Sequence, residues 1–163
     1  MIQQTLVLVK PDGVARGLSG EVIKRFEQRG LKIVALKLVH INMDKAKQHY
    51  TKDVTERRGK RVRDMLLSYI TEGPVVAMVV EGVRAVENVR KLVGATESKE
   101  AIPGTIRGDF SHVSFTYADE KEMPVKNLVH ASANEEEAKM EIALWFSIDE
   151  IHDYKRCGDE HLY

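Results

Sequence analysis

The sequence predicts an α+β domain built on a small four-stranded sheet. Three observations carry that expectation. Short apolar runs bounded by Pro, Gly or Asn recur along the chain, and helical periodicities fall between them. The two kinds of segment do not alternate in a strict βαβ repeat. The first connections are short enough to permit antiparallel pairing. A length of 163 residues suits one domain, residues 1–163, and a 43% hydrophobic share is ordinary for a soluble globular chain.

Thr5-Leu-Val-Leu-Val9 is short, apolar and β-branched and stops at Lys10-Pro11-Asp12-Gly13, so it reads as a buried strand followed by a turn. Ser19 opens a helix whose apolar face is Val22, Ile23 and Phe26, with Gly30 at the C′ position. A second strand spans Leu31 to Ile41, and a short helix runs from Asp44 to Tyr50. Lys52 to Arg63 is a charged run of the kind that usually forms solvated surface. Val62, Met65, Leu66, Tyr69 and Ile70 follow i, i+3, i+4, i+7, i+8 spacing, an amphipathic helix closed by Gly73-Pro74.

Val75 to Val80, continuously apolar, is the expected central strand. Val86, Val89 and Val93 mark a helix ending at Gly94, with Arg90 in its last turn. Ala95 to Asp109 has no period and reads as an ordered loop holding Ile102 and Ile106. Val113, Phe115 and Tyr117 alternate, suggesting a strand or hairpin arm from Phe110 to Ala118, and Asp119 to Lys126 is a polar loop. Glu135 to Phe146 is helical, with Met140, Ile142, Ala143 and Leu144 expected mostly inward. Ser147-x-x-Glu150 is a capping box opening a last short helix.

Charge and termini limit the possible functions. Lys+Arg and Asp+Glu both number 25, so the net charge is zero, which argues against a general nucleic-acid or membrane binder; any anion site must be local. The single Cys157 excludes an internal disulfide and a Cys-x-x-Cys metal site and fits a reducing compartment. Met1-Ile2-Gln3-Gln4 enters a strand pattern without a basic leader, and no apolar run nears the ~20 residues of a membrane span. A cytoplasmic protein is expected.

The chemistry centres on Asn127-Leu-Val-His130-Ala-Ser132-Ala-Asn-Glu135. Ser132 is a good N-cap and Glu135 completes a Ser-x-x-Glu box, so a helix should begin near Ala133, with His130 just ahead of its free N–H groups. Such a helix start suits phosphate, and an imidazole beside it can accept a phosphoryl group. A lone His is otherwise more often structural. Lys10, fixed at the end of a core strand, either snorkels or serves as a point charge aimed at a ligand. Arg90 either steadies its helix end or joins it. With Arg107 and Thr96, these residues form a kit able to neutralise a phosphoryl group in flight. There is no Walker Gly-x-x-x-x-Gly-Lys-[Ser/Thr] loop and no dinucleotide Gly-x-Gly-x-x-Gly.

Four segments, Lys10-Pro-Asp-Gly13, Gly73-Pro-Val-Val-Ala-Met-Val79, Pro103-Gly-Thr-Ile-Arg-Gly-Asp-Phe110 and Asn127-x-x-His130, resemble the nucleoside diphosphate kinase family, in order, from about Thr5 to Tyr154. The resemblance implies a ferredoxin-like βαββαβ core with a four-stranded antiparallel sheet and surrounding helices, assembled as a homo-oligomer, a hexamer or alternatively a tetramer. It implies ping-pong transfer of the γ-phosphate of a nucleoside triphosphate such as ATP to a nucleoside diphosphate through a phosphohistidine on His130, with Mg²⁺ bridging nucleotide phosphates. Carried over by position, Lys10 contacts phosphate and ribose, Arg90, Thr96 and Arg107 hold phosphates, and Asn127 bonds the sugar. Glu141 orients the imidazole, Tyr50 lies close to it, and Ser132 is the serine after the histidine. The chain departs from the family where His130 is followed by Ala131-Ser132-Ala133-Asn134 and where Val62 stands at the usual aromatic base-stacking position. It also departs in the longer segments 52–61 and 119–126.

Overall fold

Ile2–Val9 form the first strand, β1, whose side chains alternate between two cores: Leu6 and Leu8 point to one face, Val7 and Val9 to the other. The computed structural model describes residues 1–162. After β1 come α1 (Pro11–Ala15), α2 (Ser19–Gln28), β2 (Lys32–Val39), α3 (Met43–His49), α4 (Lys52–Arg58), α5 (Lys60–Ile70) and β3 (Val75–Val83). They are followed by α6 (Ala85–Val93), α7 (Ile106–Phe110), α8 (Phe115–Glu120), β4 (Val129–Ala131) and α9 (Glu135–Trp145), with short 3₁₀ turns at Ser98–Glu100, Ile148–Glu150 and Asp159–His161.

The strand order is β2-β3-β1-β4, every neighbour antiparallel, with α2 and α6 as the crossovers of a ferredoxin-like βαββαβ core. One sheet face packs on Tyr50, Leu67, Ile70, Trp145 and Phe146, and the other on Val22, Phe26, Val89, Val93 and Ile106. Both central strands, β1 and β3, are buried on both faces, which is why their sequences read as continuous apolar runs.

Several expectations are corrected. Lys10-Pro11-Asp12-Gly13 is not a simple turn but enters α1, with Pro11 at the first helical position, where its missing N–H costs nothing. The charged run 52–63 is solvated surface as expected, with no buried residue, and it is helical there, forming α4 and the start of α5, broken at Gly59, whose φ of 86° favours glycine. Phe110 to Ala118 is not a strand. Ser114 accepts a bond from the Tyr117 N–H and caps α8, leaving Tyr117 exposed and Ala118 buried. The fourth strand is instead Val129–Ala131, paired with Val7 to Val9. On α9 the buried side chains are Ala138, Glu141 and Trp145, while Met140 and Ala143 are exposed. The Ser147–Glu150 box forms as read, the Ser147 N–H donating to the Glu150 carboxylate at 2.9 Å.

Candidate active site

His130 sits on β4 opposite Leu8 of β1, its backbone held by a central strand. It does not lie at a helix mouth. α9 begins at Glu135, capped by Asn134, whose side chain accepts from the Glu137 N–H at 2.8 Å, and its first turn carries Glu135, Glu136 and Glu137. That end is already saturated with negative charge and offers phosphate nothing. Asn134-x-x-Glu137 matches the capping pattern as well as Ser132-x-x-Glu135 does, and Ser132 is diverted elsewhere. Fully buried, its hydroxyl donates to Glu141 Oε2 at 2.6 Å.

Glu141 also accepts from His130 Nε2, at 2.7 and 2.9 Å to its two oxygens. Burial pushes its carboxyl up, but the charge and hydrogen bond of His130, the nearby His49 and the Ser132 hydroxyl outweigh that and hold it below the ordinary value. A carboxylate binding Nε2–H leaves the Nδ1 lone pair of His130 uncommitted, the tautomer a nucleophilic imidazole needs. The His49 ring meets the His130 ring edge-on, centroids 4.6 Å apart, and the Tyr50 ring lies 4.7 Å from His49. Burial, then the His130 charge, lowers the His49 pKa to about 3, so it is a neutral neighbour. The Trp145 indole N–H donates to His49 Nδ1 at 3.3 Å.

The turn leading into β4 is strained. Leu128 has φ of 68°, rare for a non-glycine residue. It is held there because its N–H donates to Asp12 Oδ2 at 3.2 Å and its carbonyl accepts from the Lys10 N–H at 2.7 Å. Asp12 in turn accepts from the Tyr69 hydroxyl. These bonds fix Asn127 on one side of Leu128 and His130 on the other.

Lys10 is buried and donates from Nζ to Asn127 Oδ1. Burial first, then the Arg107 charge, lowers its pKa to about 7, against a smaller opposing effect of Asp12. Asn127 Nδ2 donates to the Thr96 carbonyl at 2.6 Å. Arg107 reaches the site but spends donors on the carbonyls of Gly94, Asn127 and Val129, at 2.9, 3.2 and 2.7 Å. It is therefore a backbone clip as well as a cation, and burial with the nearby Arg90 lowers its pKa only to about 10, leaving it charged at neutral pH. Gly108 allows this, since a Cβ there would be driven into the Ile102 carbonyl.

Lys10, Tyr50, Arg90, Thr96, Arg107, Asn127, His130 and Glu141 all line one cleft of about 890 Å³. Ser132 lies behind it, touching Glu141 rather than the opening. The geometry thus assembles every residue read from the sequence and adds two that the sequence reading gave no role, His49 and Asp12. His49 directly precedes Tyr50 in the sequence, but nothing local distinguishes it from a core histidine. A nucleophilic ring, a carboxylate behind it and a cluster of cations in front suit transfer of an anionic group. His49, His130 and Glu141 also offer ligand atoms within 4.8 Å of one another, a nitrogen-rich set unlike the oxygen shell that Mg²⁺ takes.

A family model described as nucleoside diphosphate kinase matches residues 3–151. The chain is similar to the nucleoside diphosphate kinase of Borreliella burgdorferi, 52% identical over 100% of this chain and 99% of the relative. It is also similar to that of Pyrococcus furiosus, 47% identical over 97% and 91%. Among solved structures, it resembles a transition state mimic of the Borrelia burgdorferi enzyme with bound vanadate and ADP, with a TM-score of 0.96, 51% identity and coverage of 98% and 96%. A Halobacterium salinarum nucleoside diphosphate kinase in complex with CDP matches with a TM-score of 0.86, 42% identity and coverage of 100% and 99%.

Proposed function

The chain belongs to the nucleoside diphosphate kinase family, and on that premise we propose that His130 carries the phosphoryl group between nucleotides. The observation that carries this is the Glu141 carboxylate on His130 Nε2, which leaves Nδ1 as the uncommitted ring nitrogen of a histidine that lines one cleft with Lys10, Arg90 and Arg107. In the first half-reaction Nδ1 attacks the γ-phosphorus of a nucleoside triphosphate such as ATP. The N–P bond forms as the bond to the bridging β,γ-oxygen breaks, and the diphosphate leaves with that electron pair. In the second, the terminal oxygen of another diphosphate attacks the phosphohistidine and regenerates the free ring. Glu141 stabilises the positive charge that develops on the imidazole, and Ser132 and His49 keep the pair aligned.

Lys10, Arg90, Arg107 and Thr96 bind the phosphates, Asn127 the sugar, and Tyr50 walls the histidine; their convergence on one cleft supports these roles. Mg²⁺ would come with the nucleotide rather than be held by side chains, and would supply neutralisation of the phosphate charge. That fits a cleft whose phosphate-facing groups are cations and whose innermost carboxylate, Glu141, is already committed to His130.

Residues 1–163 form a single domain, and the protein self-associates as a hexamer, with a tetramer as the alternative. We place it in the cytoplasm; among the described residues no helix is long and apolar enough to cross a membrane. Incubation with γ-labelled ATP is expected to give an acid-labile, base-stable phosphoprotein that His130→Ala does not form. A label persisting in that variant removes His130 as the acceptor.

A further inference from the structure

We propose that His49, His130 and Glu141 bind a divalent metal of the zinc type, distinct from any Mg²⁺ that comes with the nucleotide, and that a metal held there silences His130. The silencing rests on the kinase reading of the cleft; the binding does not. One ligand atom from each of the three residues lies within 4.8 Å of the other two. Glu141 Oε1 is 2.7 Å from His130 Nε2 and 3.5 Å from His49 Nδ1. The ligand atoms of a tetrahedral Zn²⁺ lie about 3.4 Å from one another, so the edge from Glu141 to His49 already has the right length and side-chain rotation has to adjust the others.

His49 carries the argument. Its Nδ1 accepts from the Trp145 indole N–H at 3.3 Å, which places the ring proton on Nε2, and Nε2 is buried without a partner among the described residues. An unpartnered buried polar atom costs about 1–3 kcal/mol, which an apolar ring of similar shape would avoid. The same tautomer leaves a lone pair on Nδ1 at 3.5 Å from a carboxylate oxygen. Two acceptors with no proton between them repel, and a cation joining them removes the conflict.

The residue types select the metal. Two imidazoles and one carboxylate, with a fourth position left for water, form a common zinc ligand set, whereas Mg²⁺ takes an oxygen shell. Nearby charge narrows the choice further. The Lys10 charge is felt at His49, so a cation stays only where strong metal–nitrogen bonds outweigh that repulsion.

Coordination through His130 Nε2 relocates a proton. In the metal-free site Glu141 holds the proton on Nε2 and leaves the lone pair on Nδ1. A metal that takes the Nε2 lone pair leaves a neutral ring protonated on Nδ1. No proton is gained or lost overall, yet the nitrogen that attacks phosphorus no longer has a lone pair to give. Glu141 exchanges its bond to His130 for one to the metal.

The test uses the whole chain carrying Cys157→Ser, which removes an exposed thiol able to bind metals, and omits nucleotide. One equivalent of Co²⁺ is expected to give the visible absorption of a tetrahedral, nitrogen-ligated ion and to be displaced by Zn²⁺ but not by Mg²⁺. It should also quench Trp145, the single tryptophan, whose ring lies 5.5 Å from that of His49. His49→Phe is expected to raise the Zn²⁺ dissociation constant by more than about a hundredfold, since losing even an outer-shell partner costs about 10–100-fold. His130→Ala should abolish the Co²⁺ band as well, and decides the matter if His49→Phe does not fold. Absence of the band in the starting protein overturns the site, and so does a band that survives in either variant, which reveals an adventitious surface ion only. With free Zn²⁺ buffered above its dissociation constant and Mg²⁺ present, labelling of His130 by γ-labelled ATP should fall at least about tenfold and return on chelation. Full labelling under those conditions overturns the silencing. No labelling even without Zn²⁺ refutes the kinase reading, and the Co²⁺ band then still decides the site.

Discussion

Lys10 shows how far one residue can be read before the fold is known. Its place at the end of an apolar strand left snorkelling and ligand contact equally open, and burial against Asn127 and Tyr69 excludes the first. With its pKa lowered to about 7, an unfolded chain holds a proton on this amine between about pH 7 and 10.5 that the folded chain has released. Stability rises with pH wherever the unfolded state binds more protons, so Lys10 works against folding below about pH 7 and this cost fades as pH climbs through that window. A polyphosphate bound beside Lys10, as proposed, would reverse the shift by favouring the ammonium. Nucleotide binding at pH 8 is therefore expected to take up close to one proton, detected as a dependence of the calorimetric heat on buffer ionisation enthalpy. The uptake should shrink toward pH 6 and vanish in Lys10→Met. Ser132 is the opposite case, misread because its sequence neighbourhood offered a plausible partner three residues on, while its actual partner, Glu141, lies nine residues on and is met only after α9 folds back against β1. Ser132→Ala removes a buried hydrogen bond to a charged group and is expected to cost about 1.5–3 kcal/mol in denaturant unfolding.

At the level of elements, long segments with a strong period were legible and short ones were not. α5 and α6 carry three or more apolar positions at helical spacing, and β3 is a long apolar run between turn signals, so tertiary context had little left to decide. β4 has three residues, too few to show any period, and exists because Val7 to Val9 of β1 offer it an edge. The opposite error at Phe115 to Tyr117 arose because two alternating aromatics mimic a strand, whereas Ser114 supplies a cap and Glu97 accepts the Phe115 N–H. The start of α9 gives a direct test of cap assignment. Asn134→Ala is expected to cost about 1 kcal/mol of stability while leaving phosphate exchange near wild type, because Asn134 bonds only the helix end. Ser132→Ala should lower both. If the two variants lose stability and activity in parallel, the division between cap and site is wrong.

Across the whole molecule, the α+β class followed from composition and punctuation, but strand order did not, because order depends on which edges find partners. The finished sheet leaves β2 at one edge, and the rest of the chain treats its two halves differently. The C-terminal segment covers the first half: the His152 N–H donates to the Val34 carbonyl, the Tyr154 hydroxyl to Ile33, and Arg156 to Gly30 and Leu31. Beyond Val34 the segment touches the strand at Lys37, whose Nζ donates to Glu150 Oε1 at 2.6 Å so that its charge is already paired, and Leu36 and Leu38 on either side stand 52% and 65% exposed. An uncovered edge carrying two exposed leucines invites pairing with another chain unless charge or a bulge blocks it. The one irregularity in the β2–β3 register falls between Ile33 and Ala35, within the covered half, so it does not protect the open one. Self-association is therefore expected to use this half-strand. Leu38→Glu places a charge in the seam and should yield a smaller particle by light scattering, with the far-ultraviolet dichroism of the wild type. A particle of unchanged mass would move the contact to some other surface.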